Sequence, residues 1–160
     1  AVFMRMRLHE GAAGDPISFQ LGLIGALAEP DAENGLDAEE RALDARLLYG
    51  RGFGTGWGNA WLGGETALRV PAEGGATEVR LDLTVGIRPL PALVLYVQSF
   101  GTLGLRNADP GGSDYDELKL APSVGYAFGS VTLVGGVERT VAGRNISRDT
   151  RFKLSIWRQF

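Results

Sequence analysis

The sequence contains no cysteine, which excludes disulfide frameworks, thiolate catalysis and cysteine-based zinc sites and leaves the redox compartment open. It has one histidine, His9, which leaves little from which to build a general base or an imidazole metal site. No metal and no cofactor are expected. No apolar run approaches the roughly 20 residues that a membrane-spanning helix needs, so any span has to be made of strands of about 9–11 residues. Neither sign of charge predominates. The formal net charge is -3, and Lys and Arg are scattered instead of forming a patch, so no nucleic-acid partner is expected.

Glycine is present in excess, at 24 of 160 residues against a usual share of ~7%. That suits tight turns and a crowded barrel interior. The length fits one domain, residues 1–160. Along it a two-residue hydrophobic period recurs, which predicts an all-β meander. Nine strands are expected near Val2–His9, Ile17–Leu27, Ala42–Gly50, Asn59–Val70, Glu78–Arg88, Ala92–Leu103, Glu117–Phe128, Val131–Thr140 and Arg151–Phe160. The clearest is the fifth: Val79, Leu81, Leu83, Val85 and Ile87 share one face, while Glu78, Arg80, Asp82, Thr84 and Arg88 share the other. The seventh repeats it, with Leu118, Leu120, Pro122, Val124, Tyr126 and Phe128 opposite a polar set that contains Glu117 and Lys119. A helix is admissible only over Asp37–Leu48.

The connections alternate in length. Arg88–Pro91 and Phe128–Ser130 are short, whereas Glu29–Arg41, Pro71–Thr77, Gly104–Asp116 and Ala142–Thr150 are longer and rich in Gly, Asp, Asn and Pro. Transmembrane barrels show this asymmetry between periplasmic turns and external loops. Aromatic rings collect near strand ends: Tyr49, Phe53 and Trp57 at one connection, Tyr126 and Phe128 at another, and Phe160 at the last residue. Membrane–water boundaries favour such placement.

The last stretch, Arg151–Phe160, alternates apolar and polar residues and ends on an aromatic ring. In this it resembles the final strand of Gram-negative outer-membrane β-barrels. Phe152, Leu154, Ile156 and Phe160 match the pattern, which the resemblance implies is read by the barrel-assembly machinery. Arg158 departs from it. More narrowly, Tyr49-Gly50-Arg51-Gly52-Phe53, Trp61-Leu62-Gly63 and Leu81-Asp82-Leu83-Thr84-Val85-Gly86-Ile87-Arg88-Pro89 are similar to uncharacterised alphaproteobacterial outer-membrane barrels. The resemblance implies an antiparallel up-and-down transmembrane β-barrel in the outer membrane of a Gram-negative bacterium, with lipid and lipopolysaccharide around it. It supplies no catalytic residue.

Bacterial single-chain barrels have an even number of strands. Nine strands therefore make an N-terminally incomplete barrel of ten or more the leading expectation, with this chain its C-terminal part. The alternative treats Val2–His9 as an arm and closes the other eight. With lipid on the apolar face, the lumen-lining candidates are Arg46, Arg69, Arg80, Arg88, Lys119, Arg151 and Lys153, together with Asp44, Glu65, Glu78, Asp82, Glu117 and Glu138. In a narrow interior these charges must pair.

Catalysis is not expected. A Ser–His pair would need His9 with Ser18 or Ser99, and no nucleophile-elbow motif is present. The run Gly50–Gly58 fits neither phosphate-binding fingerprint and reads as a glycine-rich turn. The acidic stretch Glu29–Glu40 has oxygen ligands suited to Ca²⁺ but lacks the EF-hand spacing, and the sequon Asn145-Ile146-Ser147 has no bearing in a bacterial barrel. Three functions remain: a small porin-like or transport channel passing small solutes, a structural or surface-interaction barrel with a plugged lumen, and a soluble calycin-like binder of apolar ligands.

Overall fold

A computed structural model of the protein describes residues 2–11, 15–24, 41–72, 76–105 and 115–158. Among them the chain forms nine strands and no helix: β1 (Val2–Glu10), β2 (Pro16–Ile24), β3 (Ala42–Thr55), β4 (Gly58–Pro71), β5 (Thr77–Leu90), β6 (Leu93–Leu105), β7 (Asp116–Phe128), β8 (Val131–Arg144) and β9 (Thr150–Arg158). Each strand pairs antiparallel with its sequence neighbours, in one sheet of order β1 to β9. The up-and-down order follows from the short connections, because a two-residue hairpin can only join antiparallel neighbours.

The sheet is open. Among the described residues, β1 and β9 each have one strand neighbour. An odd number of antiparallel strands leaves these two edges running in the same direction. β1 pairs with β2 from Val2 opposite Leu23 to Glu10 opposite Pro16, with a register shift between Arg7 and His9. It is thus an integral strand, not the detached arm of the eight-strand alternative.

Residues 42–48 belong to β3, so the helix admitted over Asp37–Leu48 does not form there; residues 37–40 lie outside the described residues. β3 also runs on to Thr55, and only Gly56 and Trp57 connect it to β4. Most of the run read as a glycine-rich turn is therefore strand, with Gly50, Gly52 and Gly54 alternating against Arg51, Phe53 and Thr55. The turn itself needs glycine at Gly58. Its φ is +128°, and a Cβ there would lie 2.2 Å from the carbonyl oxygen of Arg88. β8 likewise continues to Arg144, which shortens the last connection to residues 145–149. The acidic stretch 29–40 and Phe160 lie outside the described residues.

The register sorts the side chains into two faces. Opposed pairs carry one face from Gln20 through Arg46, Ala67, Arg80 and Thr102 to Glu117. The other face runs from Leu21 through Ala45, Leu68 and Val79 to Leu103. Burial is inverted with respect to a soluble domain. The buried side chains Ala42, Asp44, Ala67, Val94, Ala121, Val134 and Thr140 all lie on the face that carries the charges. Asp44 is 2% exposed, whereas Leu83, Val85 and Leu154 on the apolar face are 42%, 55% and 80% exposed. The sheet curls around its polar face. Side chains of β6 and β9 meet across it, although β7 and β8 lie between them.

Candidate functional site

The concave face divides into a charged half and an aromatic half. The charged half lies toward the longer connections, those of β2–β3, β4–β5, β6–β7 and β8–β9. Arg46 is its first centre. Its Nη1 donates to Glu65 Oε1 at 2.9 Å, and its Nε and Nη2 donate to the two oxygens of Asp44. A planar guanidinium suits this fork better than an ammonium would. Register places Asp82 directly opposite Glu65 and next but one to Arg80, so two carboxylates adjoin between two arginines. Arg69 lies 3.8 Å from Glu78, which also accepts the hydroxyl of Tyr115.

A second group spans β7 to β9. Lys119 Nζ lies 2.7 Å from Glu117 Oε2, and Lys153 pairs with Glu138. The buried Thr140 Oγ1 is 3.1 Å from both Glu117 and Asp149, and its single proton serves one carboxylate at a time. Arg151 closes the group by donating to Asp149 at 2.7 Å. Hydrogen bonding by Arg151 and then by Thr140 holds the Asp149 carboxyl below the ordinary aspartate value.

All thirteen charged residues singled out from the sequence share this face. Arg88 stands apart from the rest: it lies opposite Asn59 at the short-turn end and is exposed. Asp82 has the charges of Arg80 and Arg46 nearby, while the side chain it adjoins most directly is that of Glu65. Oδ1 of Asp82 is buried without a hydrogen bond, as are Nε of Arg69 and Nε of Arg80.

The aromatic half, toward the short turns, was not foreseen. Trp61, Tyr96 and Trp157 project from β4, β6 and β9 onto the concave face. Tyr96 and Trp157 stack with centroids 5.9 Å apart. With Thr84, Gln98 and Ser123 they bound a cavity of ≈ 350 Å³. Glycines leave room for the Trp61 ring and for the Ser123 hydroxyl. A Cβ on Gly86 would lie 2.0 Å from the Trp61 ring, and one on Gly136 would lie 2.3 Å from the Ser123 hydroxyl. The signal was present in the sequence as parity: Trp157 alternates in step with Lys153 and Ser155, not with Phe152, Leu154 and Ile156.

On the convex face, Phe152, Leu154 and Ile156 line the outer side of β9 and are highly exposed. Arg158 shares their face opposite Val131, at the very end of the strand. Tyr49, Phe53, Tyr126 and Phe128 lie on this face toward the short-turn end, and Tyr126 packs on Phe128 at 4.9 Å. His9 lies opposite Ile17, on the face away from Ser18, and Ser99 lies on the convex face of β6 opposite Leu83. The structure does not bring the three together. Among the described residues no group of three or more His, Asp or Glu side chains is placed to hold a metal ion.

Comparison with family models, with curated proteins and with solved structures finds no match to the chain. The class the geometry defines is therefore structural: an antiparallel up-and-down sheet, curled around a polar, ion-paired face, with an apolar face outside.

Proposed function

We propose that the chain is a transmembrane β-barrel of a Gram-negative outer membrane that works as a small porin-like or transport channel. The inversion of burial carries this reading. A sheet that turns ion-paired arginines and carboxylates inward and leaves leucine and valine outward is suited to lipid outside and water within. The dimensions agree. The outward stretch of β7 from Leu118 to Phe128 spans about 33 Å at about 3.3 Å per residue, and a tilt of about 40° reduces that to about 25 Å, the height of a barrel's apolar band. Arg51 and Arg158 face outward toward strand ends, whereas Arg139 faces outward opposite Leu120. Closure belongs to the proposal too: a membrane barrel cannot leave the free edges of β1 and β9 in hydrocarbon.

A plugged structural barrel is the second reading, and the ion pairs crossing the charged half favour it. A calycin-like binder needs the apolar residues to line the interior, and the exposure of Leu83, Val85 and Leu154 speaks against that. Refolding from urea with and without detergent micelles, followed by circular dichroism and electrophoresis of boiled and unboiled samples, tests the membrane reading. Detergent-dependent β signal with heat-shifted mobility is expected; a monomeric β-protein formed without detergent would sink it. Single-channel conductance then separates channel from plug.

A further inference from the structure

We infer that the aromatic half of the concave face is a binding site for a neutral saccharide, with Tyr96, Trp157 and Trp61 as its apolar platform and Thr84, Gln98 and Ser123 as its hydroxyl-binding rim. A pyranose ring presents one face of C–H groups and a perimeter of hydroxyls. It is bound by aromatic surface beside it and by groups that both donate and accept hydrogen bonds around its edge. The cavity has both. Its ≈ 350 Å³ falls within the usual range of small-ligand pockets, at the size of a mono- or disaccharide.

Charge argues for a neutral ligand. Lys153 is the cavity's one ionisable cation, and it is already held by Glu138 and by the Phe100 ring, 5.0 Å from its centroid. An anion would have to compete with both. The rim groups Thr84 and Gln98 are weakly engaged with each other, at 3.5 Å, and so are available to hydroxyls. The site is built, not incidental: the Trp61 ring occupies the space that the missing side chain of Gly86 leaves, and the Ser123 hydroxyl of the rim occupies the space left at Gly136. The site lies on the face turned away from Leu83, Val85 and Leu154, so its ligand arrives from water as a free sugar and not as a lipid-borne glycan.

The inference deepens the channel reading, because it names the class of solute that dwells in the interior. The test is titration of the full chain, refolded in micelles, with maltose, read by tryptophan fluorescence and by calorimetry, with citrate as the anionic control. Saturable binding of maltose and none of citrate is expected. Tyr96→Ala keeps all three tryptophans and should weaken binding about tenfold, the loss of one aromatic contact. Gly86→Ala removes no ring but displaces Trp61 and should also weaken it severalfold, whereas Gly135→Ala, with open space at its Cβ, should leave it unchanged. Gln98→Ala, which removes only the rim amide, serves if Tyr96→Ala does not fold. Absent saturation in folded protein, equal affinity in the site variants, or equal citrate binding would overturn the inference. A chain that conducts without binding maltose refutes this site and leaves the channel standing; one that binds maltose without conducting does the reverse.

Discussion

Tyr96 of β6 and Trp157 of β9 stack with ring centroids 5.9 Å apart and planes inclined by 24°, although two strands lie between them. Neighbouring strands are about 4.8 Å apart, so a flat sheet would hold their backbones about 14 Å apart. The contact therefore reports curvature, and the small residues Ser123, Gly125 and Gly136 on the two intervening strands suit it.

A double-mutant cycle on this pair isolates the contact from the area each ring buries. With Tyr96→Ala, Trp157→Ala and the double variant unfolded by guanidinium in micelles, a coupling energy of about 0.5–1.5 kcal/mol is expected. Additive losses would show that the rings meet without stabilising the curl.

Arg46 carries more. It is the common donor to Asp44 and Glu65, and Asp44 is almost wholly buried. Removing it as Arg46→Met strands two carboxylates in a poorly hydrated cluster beside Asp82, at a cost of about 3–5 kcal/mol. Adding Asp44→Asn should recover part of that loss, since it removes the most deeply buried of the uncompensated charges. Guanidinium unfolding of the two variants measures both steps; a single variant within 1 kcal/mol of the parent would mean that water already solvates the cluster.

The faces were legible where the period is unbroken. β5 and β7 alternate over most of their length, and every charged residue they assign to one side is found there. Two things were not legible. The first is register, which places Asp82 opposite Glu65 across the β4–β5 pair; it follows from where that ladder starts, with Asn59 opposite Arg88, which no single-strand pattern records. The second is the aromatic cavity. It takes one ring each from β4, β6 and β9, and their meeting depends on the curl of the strands between them. Glycine also hides the end of β3: Gly50, Gly52 and Gly54 look like turn in the sequence, whereas in the structure they leave one face of a strand bare.

Acid stability offers a separate handle at the connection between β8 and β9. Arg151 and Thr140 donate to Asp149 and lower its pKa in the folded chain. A depressed folded value means the stabilisation is present above the unfolded aspartate pKa and is lost as pH falls through the folded one. Carboxyl chemical shifts in an NMR titration should put the Asp149 midpoint below that of a reference aspartate, and Arg151→Gln should raise it. Asp149 is half-exposed, so the effect on unfolding is confined to the acid limb and is small. An unchanged midpoint in Arg151→Gln would show that Thr140 alone sets it.

Leu83 provides the sharpest distinction between lipid and water outside the sheet. It lies near the middle of β5 on the convex face, flanked by Leu81 and Val85 and opposite Ser99, with no charged outward neighbour on its own strand. In a bilayer, Leu83→Arg places a guanidinium close to the midplane and should destabilise the folded protein by about 2–4 kcal/mol. The same change near the strand end, at Ile87, should cost less, since the penalty falls toward the interface. In water the two substitutions should differ little and neither should exceed about 0.5 kcal/mol, because Leu83 is exposed and Ile87 half-exposed on the outer face. Guanidinium unfolding from lipid vesicles reads the gradient directly. A depth-dependent loss, steepest at Leu83, is what lipid contact requires; equal and negligible losses at both positions would place the apolar face in water and remove the ground for a membrane barrel.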